Sequence, residues 1–308
     1  MRMAPRRSAA LLLTLLALQP AIPAAASRTA AVTDAAVATS AGSTVPRFDH
    51  VYLIVMENKA YKWIVGNPAA PYLNSLIANY GLATSDYAVT HPSEPNYLAL
   101  FAGSTFGITD DGVYDLAGSS LADQLGGHGQ TWHVYAQDYP GACSPVAAAY
   151  GGVDLDGAPG WYTRKHNPAV SFTSISSRPA RCRRITNLAG FDPAAADFQM
   201  IVPNLTNSMH DGTIAQGDDF LRAFVPRITG SAAFASSLLL ITWDEGAGTA
   251  GGGGRVATLV VSPQVKAGTR SSVRHDHYSL LRTIQRAFGL GCLRRSCGAN
   301  DLREFFAG

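Results

Sequence analysis

Two apolar runs, Val51-Tyr52-Leu53-Ile54-Val55-Met56 and Leu238-Leu239-Leu240-Ile241-Thr242-Trp243, each end abruptly in acid: Glu57-Asn58 after the first, Asp244-Glu245 after the second. Uninterrupted hydrophobicity over strand length marks a strand covered on both faces, as in a parallel sheet flanked by helices. A carboxylate at the end of such a run is costly unless paired or bound to a cation, so two at equivalent ends point to a shared metal site. Either carboxylate alone fits a helix cap or a loop ion pair.

Further strand-like runs fall at Thr131 to Ala136, Phe198 to Val202 and Val256 to Val261. Helical stretches near Ala70–Tyr80, Tyr97–Ala102, Ser120–Leu125, Ile214–Ile228 and Tyr278–Phe288 lie among them. Alternation of this kind predicts an α/β fold with a mainly parallel central sheet. In such sheets ligands bind beyond the carboxyl ends of the strands, where Glu57-Asn58, Asn204 to Asp211 and Asp244-Glu245 all fall. The glycine-rich Gly246–Gly254 segment lacks a P-loop ending and dinucleotide spacing, and reads as a mobile loop.

Arg2, Arg6 and Arg7 precede the short apolar run Ala9–Leu18, and Ala24-Ala25-Ala26 supplies a small-residue cleavage point. Residues 1–26 therefore read as an export signal, 27–47 as a flexible leader, and 48–308 as one domain. Removing the signal turns a formal +2 into 21 basic against 22 acidic residues. Near-neutrality leaves no footprint for nucleic acid, and no stable membrane anchor survives cleavage. In an oxidising compartment the four cysteines pair most simply as Cys143–Cys182 and Cys292–Cys297.

The segment His91-Pro92-Ser93-Glu94-Pro95-Asn96-Tyr97 carries most of the chemistry. Pro92 and Pro95 stiffen a helix entry, placing Ser93 where backbone N–H groups and the dipole favour an alkoxide or a phosphate. A serine hydroxyl attacks poorly unless activated, and a metal held by Glu57 and Asp244 would activate it. Asn96 is then placed to donate to a phosphoryl oxygen. Without the two carboxylates, Ser93 would read as a capping serine.

These motifs, with Arg164-Lys165-His166-Asn167-Pro168, Met209-His210-Asp211-Gly212 and His277-Tyr278, resemble the phosphoesterase family of secreted acid phosphatases and bacterial phospholipases C. The string His91–Gly103 is most similar to the short secreted acid phosphatases, including those described as phosphatidylinositol-3-phosphatases. The resemblance implies an alkaline-phosphatase-like fold and a phosphoserine intermediate on Ser93. It implies one divalent cation (calcium, magnesium, manganese or zinc) held by Glu57, Asn58 and Asp244 with Glu245. It further implies phosphate contacts from Asn96 and Lys165, and proton donors or phosphate ligands among His166, His210 and His277, one of them oriented by Asp211. Thr206 and Glu245 stand where a two-zinc alkaline phosphatase has ligands of another kind, which favours a single cation. The substrate implied is a phosphomonoester, with a phosphoinositide as one candidate. A phospholipase C-type phosphodiesterase and a catalytically dead secreted binding module are the alternatives. No G-x-S-x-G elbow occurs, which argues against a serine triad hydrolase.

Overall fold

The computed structural model describes residues 44–141, 143, 148–153 and 159–306, without the side chains of 148–153 and 159–160. The expected export signal and the leader up to residue 43 lie outside the described residues.

Eleven strands are described: β1 His50–Met56, β2 Gly81–Tyr87, β3 Trp132–Ala136, β4 Ala148–Val153, β5 Pro159–Thr163, β6 Ile185–Asn187, β7 Phe198–Val202, β8 Ser237–Trp243, β9 Arg255–Val261, β10 Arg270–Ser271 and β11 His275–Asp276. The main sheet runs β10-β2-β9-β8-β1-β7-β3-β6, with β11 also on β2, and β4–β5 form a separate hairpin. All main-sheet pairs are parallel except the two that β9 makes with β2 and β8, so the sheet is mainly parallel, as the alternation of elements predicts.

Strand β1 shows why its sequence is apolar throughout. Val51, Leu53 and Val55 enter one core with Leu98 and Phe101 of the Ser93–Ala102 helix and Leu280, Leu281 and Ile284 of the His277–Ala287 helix. Tyr52, Ile54 and Met56 enter the opposite core with Leu73 and Ile77 of the Pro71–Asn79 helix and Phe220, Leu221 and Phe224 of the Ile214–Phe224 helix. Alternate residues thus feed two helical layers, and only His50, at the start of the strand, is partly exposed.

The expected helix from Ile214 to Ile228 is two pieces, Ile214–Phe224 and Pro226–Thr229. Pro226 has no N–H to continue the ladder and restricts the residue before it. Both expected disulfides are present, Cys143–Cys182 and Cys292–Cys297. Among the described residues no helix is long and apolar enough to cross a membrane.

Candidate active site

The period of two that builds the cores also aims the acids. Leu238 and Leu240 face the same core as Val51, Leu53 and Val55, so Asp244 and Glu57, in step with them, continue toward the layer that holds the Ser93–Ala102 helix. Met56 and Trp243 are register partners on adjacent parallel strands, which sets Glu57 and Asp244 side by side. Both are fully buried. Asp244 N donates to Met56 O at 2.9 Å, and Asp244 Oδ1 accepts from Asn58 N at 2.9 Å.

Ser93 is the first residue of its helix and is buried. Its Oγ donates to Glu57 Oε2 at 3.4 Å. One turn later, Tyr97 donates its hydroxyl to the other oxygen, Glu57 Oε1. Asn96 closes the turn ahead of Ser93: its amide donates to Thr90 O at 2.8 Å and Pro92 O at 3.0 Å, and its oxygen accepts from Val89 N and Thr90 N. In this structure both Asn96 donors are engaged by backbone carbonyls of the turn before Ser93.

The third wall is the Arg164–His166 turn. His166 Nε2 lies 3.2 Å from Glu57 Oε2, and its ring stacks on Tyr97 with centroids 5.2 Å apart. His210 packs beside it at 5.7 Å and pairs through Nδ1 with Asp211 Oδ1 at 2.6 Å, so Asp211 orients an imidazole. Lys165 Nζ meets Asp111 Oδ2 at 2.8 Å. His277 is fully buried with Nε2 against the backbone oxygen of Asp244, underneath the carboxylate pair and away from any open face. Glu245 Oε2 is 2.9 Å from His91 Nδ1.

Burial, and then the Asp244 charge, pushes the Glu57 carboxyl well above the usual carboxylate range, against the opposing Tyr97 hydrogen bond. Burial also raises Asp244, against the Asn58 N–H. Two adjacent buried acids that resist ionising are a site short of positive charge. His166 is held well below its ordinary value by burial and by Lys165, which keeps it neutral. Burial acts to lower Lys165, but the hydrogen bond and charge of Asp111 outweigh it and raise the amine.

The donor set fits a cation. Asn58 Oδ1 and Asp244 Oδ2 are buried without hydrogen-bond partners, beside Glu57. Glu57, His166 and His210 also bring ligand-capable atoms within 4.8 Å of one another. Both groupings share Glu57, and hard oxygens in the first suit a divalent ion.

Three contributors escaped the sequence reading. Tyr97 was detectable as the residue one helical turn after Ser93. Lys59, adjoining Glu57-Asn58, donates to Met209 O and ties the β1 loop to the loop that carries His210. Asn58 and Met209, at the two ends of this tie, are non-glycine residues with φ of 52° and 78°. Asp111 acts through partners distant in sequence, which spacing does not disclose. The glycine segment also differs from the expected mobile loop: Gly253 N donates to Ala88 O and Ala88 N donates to Gly254 O, both at 3.0 Å. A Cβ on Gly252 would stand 2.0 Å from Val89 O and one on Gly253 2.1 Å from Thr90 O, so these glycines admit the chain leading to Ser93.

Residues 67–291 match the profile of the Phosphoesterase family. The phosphatidylinositol-3-phosphatase of Mycobacterium tuberculosis is 36% identical over 252 residues, which cover 81% of this chain and 80% of that protein. An acid phosphatase of Aspergillus fumigatus is 31% identical over 268 residues, covering 83% of this chain and 58% of the relative. Among solved structures, the lipoteichoic acid synthase LtaP of Listeria monocytogenes superposes with TM-score 0.58 at 9% identity, over 84% of this chain and 78% of that one. A protein in the alkaline phosphatase superfamily from Vibrio parahaemolyticus gives 0.53 at 12%, over 82% and 71%. These structural likenesses are of fold, and the fold is the alkaline-phosphatase-like α/β sandwich. By profile and by identity to curated relatives, this chain belongs to the phosphoesterase family.

Proposed function

We propose that the chain is an exported, metal-assisted phosphomonoesterase of the acid phosphatase type, with one catalytic domain over residues 48–308, working through a phosphoserine on Ser93. The observation that carries this reading is the buried Ser93 hydroxyl at the head of a helix, 3.4 Å from Glu57 Oε2. Asp244 stands beside Glu57, and the acid phosphatases and phosphatidylinositol-3-phosphatase among its relatives support the same class.

Glu57, Asn58 and Asp244 are the proposed cation ligands; Glu245, next to Asp244, is engaged with His91. A divalent cation bound there supplies positive charge that favours an ionised hydroxyl and a phosphoryl oxygen. Ser93 Oγ forms the new bond to phosphorus, its proton leaving toward Glu57 Oε2, while the bond from phosphorus to the alcohol oxygen breaks in line. His210, half-buried and aligned by Asp211, gives the alcohol its proton and then takes one from the water that hydrolyses phosphoserine. Neutral His166 and charged Lys165 hold the phosphoryl group, and Tyr97 fixes both Glu57 and the His166 ring. His277 positions Asp244 through its backbone oxygen and is not the proton donor.

The first natural substrate to test is a phosphoinositide, after the mycobacterial relative's name. Purified protein should release phosphate from a generic phosphomonoester, and Ser93→Ala should fold but neither turn over nor trap phosphate covalently. Activity retained in Ser93→Ala removes Ser93 as nucleophile. Export is checked by sequencing the N-terminus of protein from the culture medium, expected at Ser27.

A further inference from the structure

Asp111 holds two anion-seeking groups at once. Its Oδ1 accepts from the backbone N–H of Glu94 at 3.0 Å, in the first turn of the Ser93 helix. Its Oδ2 meets the Lys165 ammonium at 2.8 Å. A helix N-terminal N–H beside an ammonium is the donor pair that recognises phosphate, and here a carboxylate of the chain itself fills it. Both side chains are part-exposed, at 28% for Asp111 and 22% for Lys165, as is His210, so the pair sits on the solvent-facing side of the site.

We propose that Asp111 is an autoinhibitory residue: its carboxylate stands in for phosphate in the substrate-free protein and must be displaced by the substrate. The proposal rests on the assignment of Ser93 as the attacking group. A carboxylate brings one charge and two oxygens to Glu94 N–H and Lys165. A phosphomonoester at neutral pH carries nearly two charges on three terminal oxygens, so it outcompetes the carboxylate for both donors. A diester, with one charge on two free oxygens, holds the same donors less well whether or not Asp111 is present. Displacement makes and breaks no covalent bond; Asp111 rotates into water as Lys165 transfers to the phosphoryl group.

The test compares wild type with Asp111→Asn and Asp111→Ala, using orthophosphate binding by calorimetry and the kcat/KM values for p-nitrophenyl phosphate and bis(p-nitrophenyl) phosphate at pH 7. Loss of a part-exposed ion pair and a helix-end contact should tighten orthophosphate binding about fivefold and raise kcat/KM for both esters by a similar factor. Weaker or unchanged orthophosphate binding, or equal losses on both esters, would show that Asp111 only holds Lys165 in place, and overturns the proposal. Asn keeps the shape of Asp, so it serves if the Ala variant unfolds. If wild type hydrolyses no phosphomonoester, the functional reading fails, while orthophosphate titration still reports on Asp111.

Discussion

Glu57 and Asp244 leave neighbouring parallel strands at the same level, because Met56 and Trp243 are register partners one residue earlier. Each is buried, each is pushed toward its neutral form, and Asp244 Oδ2 makes no hydrogen bond. A cation that binds only the folded chain relieves both acids and stabilises it by mass action. Chelation should therefore lower the Tm of wild type and leave Asp244→Asn nearly unaffected. The metal-free variant should melt above metal-free wild type, since it lacks one of two mutually repelling buried acids. Metal analysis of purified Asp244→Asn, beside His166→Gln, decides which grouping around Glu57 holds the ion.

Tyr97→Phe keeps the ring stacked on His166 and removes only the hydroxyl that donates to Glu57 Oε1. Removing a donor from a buried carboxylate costs about 1–3 kcal/mol. Turnover should fall about tenfold or more at an equivalent barrier increase, with KM changed less, because the hydroxyl aims a ligand and touches no substrate. A Tyr97→Phe enzyme with wild-type kcat would show that Glu57 is held by its other neighbours alone.

Glu94 is pushed up to about 7 by burial, against the opposing Gly112 N–H and the Arg164 charge. Between its ordinary value of 4.5 and about 7, the folded chain keeps a proton that the unfolded chain has lost. The contribution to stability is thus fully present below 4.5 and lost as pH rises through 7. Glu94→Gln imitates the protonated form. Urea unfolding at pH 5, 6 and 7 should show a decline in wild-type stability that the variant lacks, on the order of 1–3 kcal/mol across the window.

Gly252→Ala would drive a Cβ into Val89 O at 2.0 Å, at a backbone φ of 114° that side chains rarely adopt. The backbone must shift, and the shift falls on the segment leading to Ser93. Destabilisation of about 2 kcal/mol or more and reduced kcat are expected, measured by thermal unfolding and initial rates. Gly248→Ala leaves open space around the new Cβ and calibrates the cost of a positive φ alone.

Much of this arrangement was legible in the sequence where a single physical rule governed it. Continuous apolar runs named the central strands, with Phe198–Val202 matching to the residue and Leu238–Trp243 to within one, and chain order gave both disulfides. Strand β2 escaped because Gly81–Tyr87 mixes Thr84, Ser85 and Asp86 into a short run, and its pairing with β9 shifts register between Ala83 and Asp86. Within the site, Glu57, Ser93 and Asp244 follow from local pattern plus topology. The engagement of Glu245 with His91 and of Lys165 with Asp111 depends on side chains meeting across loops, and spacing carries no record of it.

The Cys143–Cys182 bridge closes a stretch of chain that includes Lys165 and His166, whereas Glu57, Ser93 and Asp244 are set by the sheet and its covering helix. The two halves of the site are thus secured by different means, one by a covalent staple and one by packing. A reductant that opens the bridge frees the stretch carrying Lys165 and His166 and leaves the sheet-borne pair Glu57 and Asp244 in place. If the chain is exported as proposed, this half of the site gains its covalent restraint only outside the reducing cell interior.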